Sequence, residues 1–205
     1  MPFIYYLRTR IIKLLLLATG VRIRLLKPAQ EFFPKEPVII CPNHSSWLDI
    51  LLIMAISTRP TCFLGKIEIV KIPLLGWLFK KSDIPIDRSK MHSAGQMLDT
   101  VYSKMKEGYD VVIFPEGTVS EKAPELLSFK KGAFKLATDR QIPLLPVILA
   151  DAWHLWPYAH FFSGRPGLMR IKILEPLLPE KTANAIEVRN RVKTTMQSEL
   201  LKLFN

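Results

Sequence analysis

Short apolar runs alternate with helix-length amphipathic segments from residue 38 onward, and this alternation restricts the fold more than any other feature of the chain. Val38-Ile39-Ile40-Cys41, residues 61–64, Ile84-Pro85-Ile86, Val111-Val112-Ile113-Phe114 and residues 144–149 and 170–174 read as strands. Helices are predicted over 47–57, 91–107, 131–139 and 184–203. Met97, Val101 and Met105 stand four apart before Gly108, and Val188, Val192, Met196 and Leu200 repeat that spacing. Such spacing lines one helix face, and a following glycine supplies the left-handed stop. The pattern predicts a single α/β domain: a mixed, mostly parallel sheet flanked by helices on both faces. At 205 residues the chain is large enough to bury a substantial core.

Residues 1–30 differ in character. Leu7, Ile11, Leu14 and Ala18 recur at helical spacing, with Arg8, Arg10 and Lys13 before the apolar run 14–21 and Arg22 and Arg24 after it. The run is far short of the roughly 20 residues needed to span a bilayer, and basic residues on both sides do not suit a secretory signal. The segment reads as an amphipathic helix lying in a membrane interface, or as a helix packed on the core. The predicted organisation is a membrane-associating helical segment over 1–30 and a main domain over 31–205.

Charge narrows the partners. There are 29 Lys and Arg against 18 Asp and Glu, a formal net charge of +11, and 49% of residues are hydrophobic. The surplus favours an anionic partner, and the apolar content favours a membrane surface over nucleic acid. No basic stripe or nucleic-acid-binding motif accompanies the charge. Cys41 and Cys62 lie in apolar runs and read as buried thiols of a reducing compartment. No metal-ligand spacing is present.

Chemistry-bearing residues gather after the strands. Asn43-His44-Ser45-Ser46-Trp47-Leu48-Asp49 joins the first strand to a helix. A carboxylate that accepts from one imidazole nitrogen fixes the tautomer and leaves the other nitrogen to take a proton, the arrangement of a general base. Residues five apart on one helix point about 140° away from each other, so His44 and Asp49 meet only if His44 precedes the helix, with Ser45 or Ser46 as N-cap. Alone, the pair reads equally as a solvated turn. Asp87-Arg88 follows another strand, Phe114-Pro115-Glu116-Gly117-Thr118 a third, and Ile142-Pro143-Leu144-Leu145-Pro146-Val147 makes a fourth cluster. Ligands of open α/β sheets bind outside the carboxyl ends of strands, so the four are expected at one sheet edge. Singly, Arg88 also reads as a surface ion pair and Glu116-Gly117-Thr118 as a plain turn. Pro143 and Pro146 restrict their strand to an edge or an irregular path.

Taken in order, these blocks resemble the PlsC-like 1-acylglycerol-3-phosphate acyltransferase family. Asn43-His44 to Asp49 resembles its His-x-x-x-x-Asp motif and Phe114 to Thr118 its Phe-Pro-Glu-Gly-Thr motif. Ile84 to Arg88 resembles the second block, with Pro85 in place of the usual phenylalanine and Ser82 in place of glycine, and 142–147 resembles the fourth. The resemblance implies that 31–205 is an acyltransferase domain. It would move an acyl group from acyl-CoA or acyl carrier protein, as co-substrate without further cofactor, to the hydroxyl of a lysophospholipid.

In that reading His44 and Asp49 are catalytic, Arg88, Glu116, Gly117, Thr118 and Lys130 hold the acceptor, and the enzyme sits peripherally on the cytoplasmic face of the cell membrane. Lys130 and Lys131 add attraction for phosphate, or are ordinary solvated lysines. N–H groups near Gly117 would stabilise the oxyanion. A covalent role for Ser45 or Ser46 lacks a Gly-x-Ser-x-Gly elbow. The apolar stretch 67–79 reads as core or as an acyl-chain groove. Val119 stands where the family commonly has arginine and offers phosphate no donor, so a phosphate-free lyso-ornithine or lyso-glycine lipid is the alternative acceptor.

Overall fold

A computed structural model describes residues 2–26, 31–66, 83–86, 94–160 and 163–204. The chain runs through α1 (Pro2–Ala18), β1 (Val21–Leu25), β2 (Ile39–Pro42), α2 (Leu48–Ile56), β3 (Thr61–Lys66), β4 (Ile84–Ile86) and α3 (Ala94–Lys106). It continues through β5 (Asp110–Val112), α4 (Gly132–Arg140), β6 (Leu144–Leu149), α5 (Ala152–Leu155), β7 (Gly167–Ile173) and α6 (Ala185–Leu201). Seven strands form one sheet in the order β1-β7-β6-β2-β5-β3-β4. Only the β6–β7 pair is antiparallel, so β1 and β7 run against the other five.

Alternation along the strands divides the core into two layers. Ile40, Phe63, Val112, Leu145 and Val147 face Leu16 of α1 and Leu52 of α2. Ile39, Cys41, Cys62 and Val111 face Val101 of α3, Phe134 of α4 and Met196 of α6. β2 is buried on both faces, hence its unbroken apolar run. The stop and start signals act as expected: Gly108 has φ +89° after α3, and Asn184 Oδ1 accepts from Ile186 N at 2.8 Å to open α6. Cys41 and Cys62 are free and buried, on strands separated by β5. Two strand spacings of about 4.8 Å exceed the reach of a disulfide.

The N-terminal segment departs from the sequence reading. It is not helical to residue 26: α1 stops at Ala18, Gly20 turns the chain at φ +72°, and Val21-Arg22-Ile23-Arg24-Leu25 pairs with β7 as an edge strand. The two-residue alternation of β1 was masked by the helical pattern before it. Within α1 the buried stripe is Arg8, Ile12 and Leu16, whereas Leu7, Ile11, Leu14 and Ala18 lie exposed. Arg8 is held indoors by the Thr61 carbonyl at 2.7 Å and by Asp83 at 3.5 Å. Among the described residues, no helix is long and apolar enough to cross a membrane.

β6 is the second departure. It lies between β2 and β7 in the middle of the sheet, despite Pro143 and Pro146. Pro146 turns its carbonyl to accept from Leu174 N at 3.0 Å, just past the last β6–β7 rung at Val147 and Ile173, so its missing N–H falls where the ladder ends. The run 142–147 therefore enters β6 from the edge opposite His44 and fills the core. Only the far end of β6, at Leu149, reaches the edge where the His44 turn and the 114–118 loop stand.

Candidate active site

Asn43 shapes the exit from β2. Its side-chain amide donates to the Leu149 carbonyl (3.1 Å) and accepts from Leu149 N (2.7 Å), adding one side-chain rung to the β2–β6 ladder. The main chain is thereby free to turn, and His44 lies in the turn before α2. Asp49, in the first turn of α2, reaches back with one oxygen. Oδ2 accepts from Ser45 N at 2.6 Å and Ser46 N at 2.8 Å and lies 2.8 Å from His44 Nδ1. Asp49 is fully buried and the His44 side chain is 18% exposed. With a carboxylate on Nδ1, the Nδ1–H tautomer is selected and Nε2 is left as the base.

A second loop clamps the turn. Glu116 Oε1 accepts from His44 N at 2.8 Å and Oε2 from Leu127 N at 2.9 Å, while Ser120 N donates to the His44 carbonyl at 2.7 Å. Residue 44 is thus held on both sides by segment 116–120. Phe114 stacks on the imidazole with centroids 3.9 Å apart and planes 21° from parallel, which fixes the ring's tilt and sets a π-face against it. Burial pushes the Glu116 carboxyl above its ordinary range, against the two main-chain N–H groups that favour its charge.

Glu116 was expected among the groups that hold the acceptor. In the structure it is buried, and both oxygens are taken by main-chain N–H groups of its own chain. Gly117 adopts φ +72° and its N–H closes the turn onto the Phe114 carbonyl at 3.1 Å, so that group does not point at an oxyanion. Thr118 is exposed and Val119 half-buried, one residue from the Ser120 bond to His44. Lys130 donates its N–H to the Pro115 carbonyl at 2.6 Å, its stem lies beside Gly117, and the residue is exposed. Lys131 is exposed at the start of α4.

Ser46 Oγ donates to the Trp156 carbonyl at 2.6 Å and accepts from Leu48 N at 3.0 Å, and the Ser45 side chain is buried. Neither hydroxyl hydrogen-bonds the imidazole among the described residues. Asp87, Arg88 and the apolar stretch 67–79 lie outside the described residues. The Phe114 stack and the two-sided Asn43 amide were missed from sequence. Both residues stood inside quoted motifs, but neither a spacing nor a propensity announces such contacts.

Known proteins share the sequence pattern and the fold. The family model described as Acyltransferase matches residues 24–150. The chain is 32% identical over 171 residues to a 1-acyl-sn-glycerol-3-phosphate acyltransferase of Chlamydomonas reinhardtii, covering 82% of this chain and 51% of that protein. It is 31% identical over 177 residues to the 1-acyl-sn-glycerol-3-phosphate acyltransferase of Saccharomyces cerevisiae, covering 82% and 58%. It thus spans little more than half the length of these relatives. The crystal structure of the 1-acyl-sn-glycerophosphate acyltransferase PlsC from Thermotoga maritima shares the fold, with TM-score 0.84 over 97% of this chain and 79% of that one at 24% identity. The matched region contains the His44–Asp49 pair and the Glu116 clamp, and the chain belongs to the Acyltransferase family.

Proposed function

We propose that the protein transfers a fatty acyl group from a thioester donor, acyl-CoA or acyl carrier protein, to the free hydroxyl of a lysophospholipid. The acceptor is 1-acyl-sn-glycerol 3-phosphate and the product phosphatidic acid. The observation that carries this is the buried Asp49 carboxylate on His44 Nδ1, at the sheet edge where the 114–120 loop converges. His44 Nε2 takes the proton of the acceptor hydroxyl as its oxygen attacks the thioester carbonyl. The tetrahedral adduct collapses, the C–S bond breaks, and the imidazolium returns the proton to the departing thiolate. Asp49 neutralises the imidazolium during that interval. No enzyme nucleophile is required, because the thioester is already activated and positioning supplies much of the rate.

Val119 favours a second acceptor. It stands beside the Ser120 anchor, where the resembled family commonly carries arginine, and it offers a phosphate no donor. A phosphate-free lyso-aminolipid fits that environment. The exposed apolar side of α1, with the exposed Arg10 and Lys13, supports peripheral attachment to an anionic membrane, taken here as the cytoplasmic face. A non-catalytic lipid-binding protein would have no use for a clamped His44–Asp49 pair.

The test is thioester release by purified protein with lysolipids bearing and lacking phosphate. Release with 1-acylglycerol 3-phosphate that disappears in His44→Ala is the expected result. Release only with phosphate-free acceptors overturns the acceptor, and no release with any of them, or release undiminished in His44→Ala, overturns the enzyme. Val119→Arg is expected to improve use of the phosphate acceptor.

A further inference from the structure

Acidic residues are absent from two stretches, 1–30 and 152–174, although the chain contains 18 of them. The fold makes these stretches neighbours. β1 pairs with β7 from Val21 opposite Gly167 to Leu25 opposite Ile171, and Gly167 N donates to the Gly20 carbonyl at 3.3 Å. Both stretches expose apolar side chains, Leu14 and Leu17 on α1 and Tyr158 after α5, and both expose cations, Arg10, Lys13 and Arg165. Tyr5 at the start of α1 donates to the Ser57 carbonyl at the end of α2. β7 runs antiparallel to β6 with Ile171 opposite Leu149, so Gly167 and Gly20 lie at the sheet edge that carries the His44 turn, and the end of α1 with Leu14 and Leu17 leads into that edge.

Trp47 stands in that turn. Its indole is 44% exposed and stacks on Tyr158, 38% exposed, with centroids 4.7 Å apart. The indole N–H donates to the Tyr158 carbonyl at 3.0 Å, so its polar edge is satisfied by the protein. Ser46 binds the Trp156 carbonyl and bridges to Pro157, which holds segment 156–158 against the turn. The result is a braced aromatic platform within three residues of His44, whose Tyr158 half belongs to a stretch without acidic residues. Amphipathic aromatic rings flanked by cations are suited to the boundary between headgroups and acyl chains of an anionic bilayer.

We infer that Trp47 and Tyr158 form a lipid-bilayer contact separate from α1, and that the two contacts together seat the His44 edge of the sheet on an anionic membrane. α1 by itself would allow the domain to roll about the helix axis. A second contact at the site mouth fixes that angle and brings acceptors in the leaflet to His44. The inference deepens the lysolipid acyltransferase reading and rests on it for the lipid acceptor.

The experiment uses the full chain with vesicles of phosphatidylcholine, alone or mixed equally with phosphatidylglycerol, carrying brominated acyl chains that quench nearby tryptophan. Quenching is expected on the mixed vesicles. Trp47→Phe is expected to lose most of the quenching while still sedimenting with the vesicles. Joint replacement Trp47→Ser and Tyr158→Ser is expected to weaken sedimentation and transfer to vesicle-embedded acceptor about tenfold each. Transfer to a monomeric short-chain acceptor stays within about twofold.

Unchanged quenching in Trp47→Phe overturns the contact, as does equal loss on monomeric and embedded acceptors, which would make the pair a support of the site. Binding of acidic carrier protein that depends on the pair, without vesicle quenching, overturns it in favour of a protein partner. If the wild type transfers to no acceptor, the enzymatic reading fails, whereas quenching still decides the bilayer contact.

Discussion

Replacing Asp49 by asparagine separates two services the carboxylate would perform for His44 in the proposed reaction: selecting which nitrogen carries the proton, and neutralising the ring once it is protonated. Oδ2 takes all three hydrogen bonds, from Ser45 N, Ser46 N and His44 Nδ1, and Oδ1 is buried with no partner. An asparagine must place its oxygen at the Oδ2 position, because the NH2 there would face two main-chain N–H donors. His44 therefore keeps its acceptor and its tautomer, and only the charge is lost. Unit charges about 4 Å apart at an effective dielectric near 20 interact by about 4 kcal/mol. With about 1.4 kcal/mol per tenfold change, kcat should fall about 10³-fold. The amide NH2 in the Oδ1 space, buried and unpaired, should cost about 1–3 kcal/mol of stability, read as a lower urea midpoint. The assay is thioester release at saturating acceptor, with ¹⁵N NMR of the His44 ring. A variant within tenfold of wild type would refute the charge role, and a proton moved to Nε2 would refute the orientation deduced for the amide.

Glu116→Gln leaves one oxygen for two N–H donors, His44 N and Leu127 N, and sets an NH2 against the other; urea unfolding should show a loss of about 2–3 kcal/mol. Because burial raises the Glu116 pKa, its stabilisation is complete below the unfolded carboxylate value and is lost as pH rises through the folded one. The wild-type advantage over Gln should therefore shrink with rising pH, and urea midpoints that diverge instead would contradict this. Gly117→Ala puts a Cβ at φ +72° and 3.2 Å from the flexible Lys130 stem; calorimetry should register about 1–2 kcal/mol of destabilisation, since the lysine yields but the backbone does not.

Legibility from sequence followed locality. Val188, Val192, Met196 and Leu200 face the core as their spacing requires, and Gly108 stops its helix, because helix periodicity and caps are written in neighbouring residues. The approach of His44 to Asp49 was legible because five residues and a helix start decide it. β1 was not, since an edge strand with Arg22 and Arg24 resembles the basic flank of the helix before it. β6 was read as peripheral because proline penalises a central strand, and only its partners reveal that the missing donor of Pro146 costs no rung. The sequence of Glu116 does not say whether its carboxylate faces a ligand or the peptide N–H of residue 44, because that bond spans 72 positions. The stacking of Phe114 on His44 has the same long-range origin.

The pairing of β1 with β7 also bears on how the chain acquires its shape. Strand 21–25 finds its partner only at 167–171, so it waits for a segment made long after it. Closing so long a loop is entropically slow, and local pieces such as α3 with β5 form well before it. On a ribosome the apolar outer side of α1 would emerge with no sheet beneath it, free to find lipid before the domain closes. Under the proposed membrane attachment, lipid contact would then come early and the edge strand late, with β7 the latch that fastens α1 to the finished sheet.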